Sequence, residues 1–271
     1  MYKKAYGIIE TLAPLHVGAT AGEESGNLNL IFRDQFTQTG IIPGSSIRGR
    51  FRAEMRLNGE SDSNYWYGNE AGSEQSDNNN ESIVKFEYAS ILWIPVFCPG
   101  QPIVWVSSPR LLQRYQRIAS DSNLKNAEIP DPYTGSTNLK ARESNRQKTL
   151  FFNLGFLSIN KTEDLSPWFP GGRQKPAVIV DDSDIAMIHD MALYRQSRVR
   201  LKNEEKIVDG GGFFNTEALP EGTILIFPIA IRQDNSGKKW QPFPDNNTTD
   251  IYLGGLESIG FGHCKLTLNQ P

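Results

Sequence analysis

Only two cysteines and no long apolar run set the first limits on this 271-residue chain. Cys98 and Cys264 lie far apart without paired spacing, so neither a disulfide framework nor a zinc site is indicated. Both sit among apolar neighbours and are expected to be small core residues. No apolar stretch approaches the ~18 residues of a membrane-spanning helix. Met1-Tyr2-Lys3-Lys4 leads into a strand-like segment rather than a signal peptide. The expectation is a soluble, cytoplasmic protein with no membrane partner. An excess of positive charge is also lacking, since 28 Lys and Arg face 31 Asp and Glu. That excludes a general basic coat for nucleic acid but not a local track, because the charges are segregated. Residues 57–84 hold Glu60, Asp62, Glu70, Glu74, Asp77 and Glu81 with no Lys or Arg. Residues 195–202 hold Arg195, Arg198, Arg200 and Lys202 with no acid. Such a pattern suits a polyanion on one face and an acidic surface toward water.

Hydrophobic patterning places a half-buried strand in residues 4–17, a helix in 44–57 and a polar loop in 60–82. The apolar runs 90–97 and 102–106 flank Cys98-Pro99-Gly100-Gln101 and predict a hairpin. Pro109 opens the next helix. Residues 120–176 are turn-rich, with one strand expected over 150–159. Further on come a helix over 181–191, a hairpin over 193–208 turning at 202–205, a buried strand over 222–231 and a last strand over 264–268. Strand–helix–strand units with antiparallel hairpins predict an α+β sandwich.

The segment Ile41-Ile42-Pro43-Gly44-Ser45-Ser46-Ile47-Arg48-Gly49-Arg50-Phe51-Arg52 carries the first chemistry. Pro43-Gly44 breaks a strand, and Ser45 or Ser46 can cap the following helix. A helix start offers free N–H groups and partial positive charge to a phosphate, with Arg48, Arg50 and Arg52 nearby. Alone, this is also what a capped surface helix looks like. The second element is Gly254-Gly255-Leu256-Glu257-Ser258-Ile259-Gly260-Phe261-Gly262-His263. Its glycines permit close backbone approach and an anion-binding concavity. A strand follows it, unlike the dinucleotide fingerprint, which opens a helix.

Pro-Leu-His-Val-Gly at 14–18, Ile-Pro-Gly-Ser-Ser-Ile-Arg-Gly at 42–49 and the glycine loop at 254–262 occur in that order. In series they resemble the RAMP superfamily of CRISPR proteins, most of all the Cas-seven-type backbone subunits of type III effector complexes. Similarity extends through 89–117, 178–199 and 211–223, and is poorest in 57–88 and 120–176. The resemblance implies one domain over 1–271 with an RRM-like (ferredoxin-like) core. It also implies a polar insertion at 57–88, a variable insertion at 120–176 and a protruding thumb-like hairpin at 194–215. It further implies a guide RNA (crRNA) and target RNA as partners, with other effector subunits stacked head to tail, in antiviral defence. RNA contacts would come from His16, Ser45, Ser46, Arg48, Arg50, Arg52, Tyr194, Arg195, Arg198, Arg200, Gly254, Gly255, Gly260 and Gly262. Any spacer must be accommodated, so phosphate and 2′-hydroxyl contacts are expected rather than base-edge readout.

Many relatives cut target RNA with an aspartate and a divalent metal. Ungapped alignment from Ile41 backwards puts Leu28 at that position. Leucine neither binds a cation nor moves a proton, so no catalytic residue and no resident cofactor are expected. Mg or Mn enters only if the protein cleaves. Glu23 and Glu24 in the same loop are substitute acids for a target-RNA endonuclease. His16 is the candidate acid–base for a guide-precursor-processing ribonuclease. Asp34 is expected to be a salt bridge or cap, His189 a surface residue, and His263 a phosphate contact.

Overall fold

Four apolar strands drawn from both ends and the middle of the chain form the centre of the molecule. The computed structural model describes residues 1–18, 28–59, 62–69, 81–119, 122–144, 147–153, 155–201, 208–233, 236–243 and 247–270. The main elements are β1 (Tyr2–Thr11), α1 (Gly44–Leu57), β2 (Ala89–Cys98), β3 (Gln101–Ser107), α2 (Pro109–Ala119) and α3 (Ile185–Ala192). They continue with β4 (Tyr194–Leu201), β5 (Val208–Ala218), β6 (Ile224–Arg232), β7 (Thr248–Tyr252) and β8 (His263–Asn269). Strands β2, β6, β1 and β8 lie side by side in that order, each antiparallel to its neighbour. β7 forms one edge, and β3 extends the other side toward Ala177–Ile179, Thr134–Ser136 and Lys161–Glu163. The architecture is α+β, with strands predominating.

The sheet is covered on both faces, which explains the nearly unbroken apolar run of β2. Ile9, Ile91, Leu225 and Phe227 cluster with Ile47, Phe51 and Met55, spaced four residues apart on α1. Ile8, Trp93, Ile224 and Ile226 form a second cluster with Leu112 and Tyr115 of α2. Leu165, Trp168 and Phe169 join that cluster, so part of the turn-rich 120–176 segment belongs to the core. Trp93 Nε1 donates to the Trp168 carbonyl at 2.9 Å and stacks on Phe169 with centroids 4.3 Å apart.

Several expectations need correction. The single strand expected over 150–159 is a hairpin of Gln147–Phe152 and Gly155–Ile159, because the chain reverses before Gly155. The polar stretch 60–82 contains a short helix, Ser63–Tyr67, anchored by buried Trp66 and Tyr67. Glu70, Glu74 and Asp77 lie outside the described residues. Neither Ser45 nor Ser46 caps α1: Pro43 occupies that position, without a side-chain bond. Gly44 sits so close to the next segment that a Cβ would stand 2.3 Å from the Phe86 carbonyl oxygen. This contact seats the helix start and draws both serines into its first turn. The expected hairpin is longer than 193–208. β4 and β5 pair from Tyr194↔Ala218 to Leu201↔Val208, and the expected turn lies outside the described residues.

α1 depends on one ring. Phe51 meets Tyr67, Phe86, Trp240 and Phe243 at centroid distances of 6.4, 5.0, 6.0 and 5.5 Å. Phe51→Ala is expected to destabilise the protein by about 3–5 kcal/mol in urea unfolding. A loss below about 1 kcal/mol would contradict this packing role.

Candidate nucleic-acid interface

The two ends of the chain meet at His16. Its ring Nδ1–H donates to the Glu217 carbonyl at 2.6 Å, and its own carbonyl accepts the Gly255 N–H at 2.9 Å. Around it, Leu15 exchanges two backbone bonds with Leu219, and the Gly262 N–H donates to the Pro14 carbonyl at 2.8 Å. Residues 14–16 are thereby stitched both to the end of β5 and to the glycine loop. Gly254 has φ 77°, and a Cβ there would stand 2.1 Å from the His16 oxygen, so no side chain fits. The loop's helical turn, Glu257–Ile259, reaches α1, where Glu257 Oε1 lies 3.6 Å from Arg50 Nη1. On its other side Phe261 meets the edge of Tyr194 with centroids 5.9 Å apart. The 14–18 segment, α1, the glycine loop and the foot of the β4–β5 hairpin therefore form one contiguous region.

Within that region the chemistry differs from the expectation. The Gly255, Gly260 and Gly262 amides are spent on the His16, Glu257 and Pro14 carbonyls, so these glycines close the loop instead of lining an anion-binding concavity. The Gly44 and Ser45 amides at the start of α1 have no partner among the described residues. Ser45 is exposed and Ser46 half-buried. Arg48 is exposed and unpartnered among the described residues. Arg50 is committed to Glu54 and Glu257, and half-buried Arg52 engages a neighbour. His16 is only 7% exposed, which makes it a structural staple with an enclosed ring edge.

A second cluster clamps the hairpin base. Glu217, 3% exposed, accepts from Arg33 Nη2 at 3.1 Å and from Arg195 Nε and Nη2 at 3.2 and 3.1 Å. Asp190 of α3 pairs with the same two arginines at 2.9 and 3.1 Å. Arg195, expected as an RNA contact, thus has its charge balanced within the protein. Half-buried Arg198 is also engaged, while the side chain of Arg200 and all of Glu23 and Glu24 lie outside the described residues. Leu28-Asn29 pairs parallel with Asn215-Thr216 of β5, which puts position 28 beside the hairpin. Asp34 caps its own turn, accepting from the Phe36 and Thr37 amides at 3.0 and 2.8 Å. Among the described residues no three His, Cys, Asp or Glu side chains gather to hold a metal, and Leu28 offers no donor atom.

His189 departs furthest from its expected place. It is fully buried, not on the surface, and its Nε2 accepts the Gly40 N–H at 2.9 Å. Glu217 carries little mark in the sequence. Its only sequence signal is an acid between Thr216 and Ala218, both of which prove buried.

The model of the RAMP superfamily matches residues 8–265. The chain belongs to the RAMP superfamily. The RAMP resemblance read from the three motifs thus holds over nearly the whole sequence. The CRISPR system Cmr endoribonuclease Cmr4 of Pyrococcus furiosus is 25% identical over 296 aligned residues, covering 98% of this chain and 96% of that protein. A CMR subunit Cmr4 of Saccharolobus solfataricus is 26% identical over 92 residues, or 34% of this chain. In fold, this RAMP protein is similar to a chain of the type III-B Cmr-beta complex bound to cognate target RNA. That match has a TM-score of 0.73 and 19% identity, covering 98% of this chain and 96% of the other. It is also similar to oligomeric Cmr4 from Pyrococcus furiosus, with a TM-score of 0.69, 18% identity and full coverage of both chains. No described helix is long and apolar enough to cross a membrane.

The RAMP fold encloses His189 beside the ionic clamp. Burial, reinforced by the Arg33 and Arg195 charges and opposed by Asp190, pushes its pKa down from 6.5 to about 3. Below pH ~6.5 the unfolded chain takes up a proton that the folded state refuses. This contribution is therefore complete above that pH and is lost as pH falls toward 3, at up to ~1.4 kcal/mol per pH unit. His189→Gln keeps an acceptor for the Gly40 amide and is expected to flatten the urea midpoint between about pH 6.5 and about pH 4. An unchanged pH slope would refute the neutral buried imidazole.

Proposed function

We propose that this chain is a guide-RNA-binding, Cas-seven-type backbone subunit of a type III CRISPR effector. It stacks head to tail with other subunits, positions guide and target RNA, and has no cleavage centre of its own. The observation that carries this reading is the convergence of residues 14–18, the start of α1, the glycine loop and the hairpin foot. Full-length similarity to Cmr4 of Pyrococcus furiosus and, in fold, to a chain of a type III-B complex bound to target RNA supports it. The β2–β6–β1–β8 order with antiparallel pairing supports an RRM-like core, and β4–β5 is the element that suits a thumb.

RNA is held here by a few groups. The Gly44 and Ser45 amides meet a phosphate at the positive end of α1, the Ser45 hydroxyl adds a donor, and Arg48 supplies charge. Arg50 acts indirectly, by joining α1 to the glycine loop through Glu257. Nothing in this set reads a base edge, so binding is independent of sequence.

The Pyrococcus furiosus relative is an endoribonuclease, which favours a second reading, cleavage through Glu23 or Glu24. Against it stands Leu28, which fits neither a metal nor a proton transfer. In the assembled effector, Glu23→Ala/Glu24→Ala is expected to leave the target-RNA products unchanged. Disappearance of one product band would establish the enzyme reading. Arg48→Glu is expected to weaken guide binding about tenfold at low salt, equally for unrelated guide sequences, and to lower the salt slope by about one. Fluorescence anisotropy measures both quantities. Undiminished affinity would remove α1 from the RNA path.

A further inference from the structure

A cleft of about 740 Å³ opens between α2 and the turn that follows Asp34. None of Gly44, Ser45 and Arg48 lines it. α2 carries Arg110, Arg114 and Arg117 and no acid, and all three arginines line the cleft. Arg114 is structural: its guanidinium stacks 4.3 Å from the Tyr88 ring, and it donates to Ser90 Oγ at 2.8 Å and the Tyr88 carbonyl at 3.2 Å. The other two differ. Arg117 is exposed and has no partner among the described residues. Arg110 has its guanidinium 5.6 Å from the centre of the Phe36 ring. Phe36 is 76% exposed and sits at the cleft wall.

Three aspartates also line the cleft, and each is engaged locally. Asp34 caps its turn, Asp182 accepts the Arg110 N–H at 3.0 Å, and Asp131 pairs with Lys161 at 2.9 Å. They lower the net charge, so simple attraction of a polyanion is a weak reason for binding here. The arrangement instead offers an exposed aromatic face beside a guanidinium, plus an uncommitted cation two helical turns along, ~10 Å away. Stacking for a base and a charge for a phosphate is the combination that unpaired nucleic acid uses. Chain continuity favours RNA over a protein partner. The wall is the segment that runs from Arg33, in the hairpin clamp, to Gly44, at the start of α1. The Ala89 backbone, next to Tyr88, pairs with Ile42 two residues before that start.

We propose that this cleft is a second RNA contact, in which an unpaired nucleotide stacks on Phe36 beside Arg110 while a phosphate meets Arg117. The inference rests on the RNA-binding reading above. Its source is an unpaired nucleotide of either the guide or the target strand.

Binding of labelled uridine oligonucleotides to the full chain, followed by anisotropy across a salt series, tests the cleft. Phe36→Ala is expected to weaken binding about tenfold with an unchanged salt slope, as loss of one stacked base does. Arg110→Glu/Arg117→Glu is expected to lower the slope by about two. These side chains are solvent-facing, and an unchanged urea midpoint verifies the fold. Ultraviolet crosslinking in the assembled effector, with 4-thiouridine in the guide in one arm and in the target in the other, identifies the strand on the peptide containing Phe36. Unaltered RNA affinity in both variants overturns the proposal, as does unaltered affinity with lost self-association, which would make the cleft a protein contact. Arg48→Glu is the parallel control. If it leaves affinity intact while the cleft variants weaken it, the α1 reading fails and the cleft stands. The reverse result retains α1 and removes the cleft.

Discussion

The contact on which the rest of the structure depends is the seating of Gly254 against the His16 carbonyl. Residues 238 positions apart in the chain approach so closely that a single added carbon would overlap an oxygen at 2.1 Å. Because Gly254 yields that space, the Gly255 amide bonds to His16, the Gly262 amide bonds to Pro14, and Phe261 is held against Tyr194. His16 transmits the same constraint to β5 through its ring nitrogen. A loop rich in glycine is ordinarily costly to order, since each residue gives up much backbone freedom. Here that cost is offset by hydrogen bonds enclosed between the loop and the 14–16 segment. The outcome is a fixed geometry for the hairpin foot and the first turns of α1.

Charge is used in the same economical way. Of the arginines that the sequence offers as an RNA track, Arg50 and Arg195 are balanced by carboxylates inside the protein. The Arg33–Asp190–Glu217–Arg195 cluster is neutral overall, with Glu217 buried, Arg33 half-buried, and Asp190 and Arg195 open to solvent on one side. Removing either arginine leaves buried Glu217 and its neighbour Asp190 with a single cation between them, a destabilising change for a carboxylate that is 3% exposed. The cluster therefore holds strands together more than it attracts a polyanion. On the proposed function, attraction is left to Arg48, to the free amides of α1 and to the dipole behind them. An overall acidic protein can hold RNA with so few groups when many copies share one strand, because each contributes a modest increment at a fixed spacing.

Local pattern made parts of this fold legible. Pro43-Gly44 and the apolar spacing of Ile47, Phe51 and Met55 define α1 at its observed limits of 44 and 57. Pro99-Gly100 between two apolar runs gives the β2–β3 hairpin, and Pro109 marks the start of α2. What stayed hidden depends on partners remote in sequence. His189 reads as an amphipathic helix residue until Gly40, 149 positions away, supplies its bond. Free glycine amides look available for an anion until the carbonyls of 14–16 and the loop itself consume them. The residues proposed to face RNA are recognisable as types, but which cations remain uncommitted is a property of the folded charge network.

Position 28 shows how far that network constrains chemistry. Leu28 lies on the strand segment paired with Asn215-Thr216, so the nearest carboxylate along β5 is Glu217. Holding a divalent cation requires oxygen atoms that can leave their present partners. Glu217 accepts from two arginines, and Asp190 binds the same two. Recruiting either to a metal would strip one carboxylate from both the Arg33 and Arg195 guanidinium groups and loosen the hairpin clamp. The substitution at 28 and the commitment of the adjacent acids therefore act in one direction. On the proposed function, both leave the hairpin foot as a rigid support for a strand, and among the described residues no three His, Cys, Asp or Glu side chains gather to hold a metal.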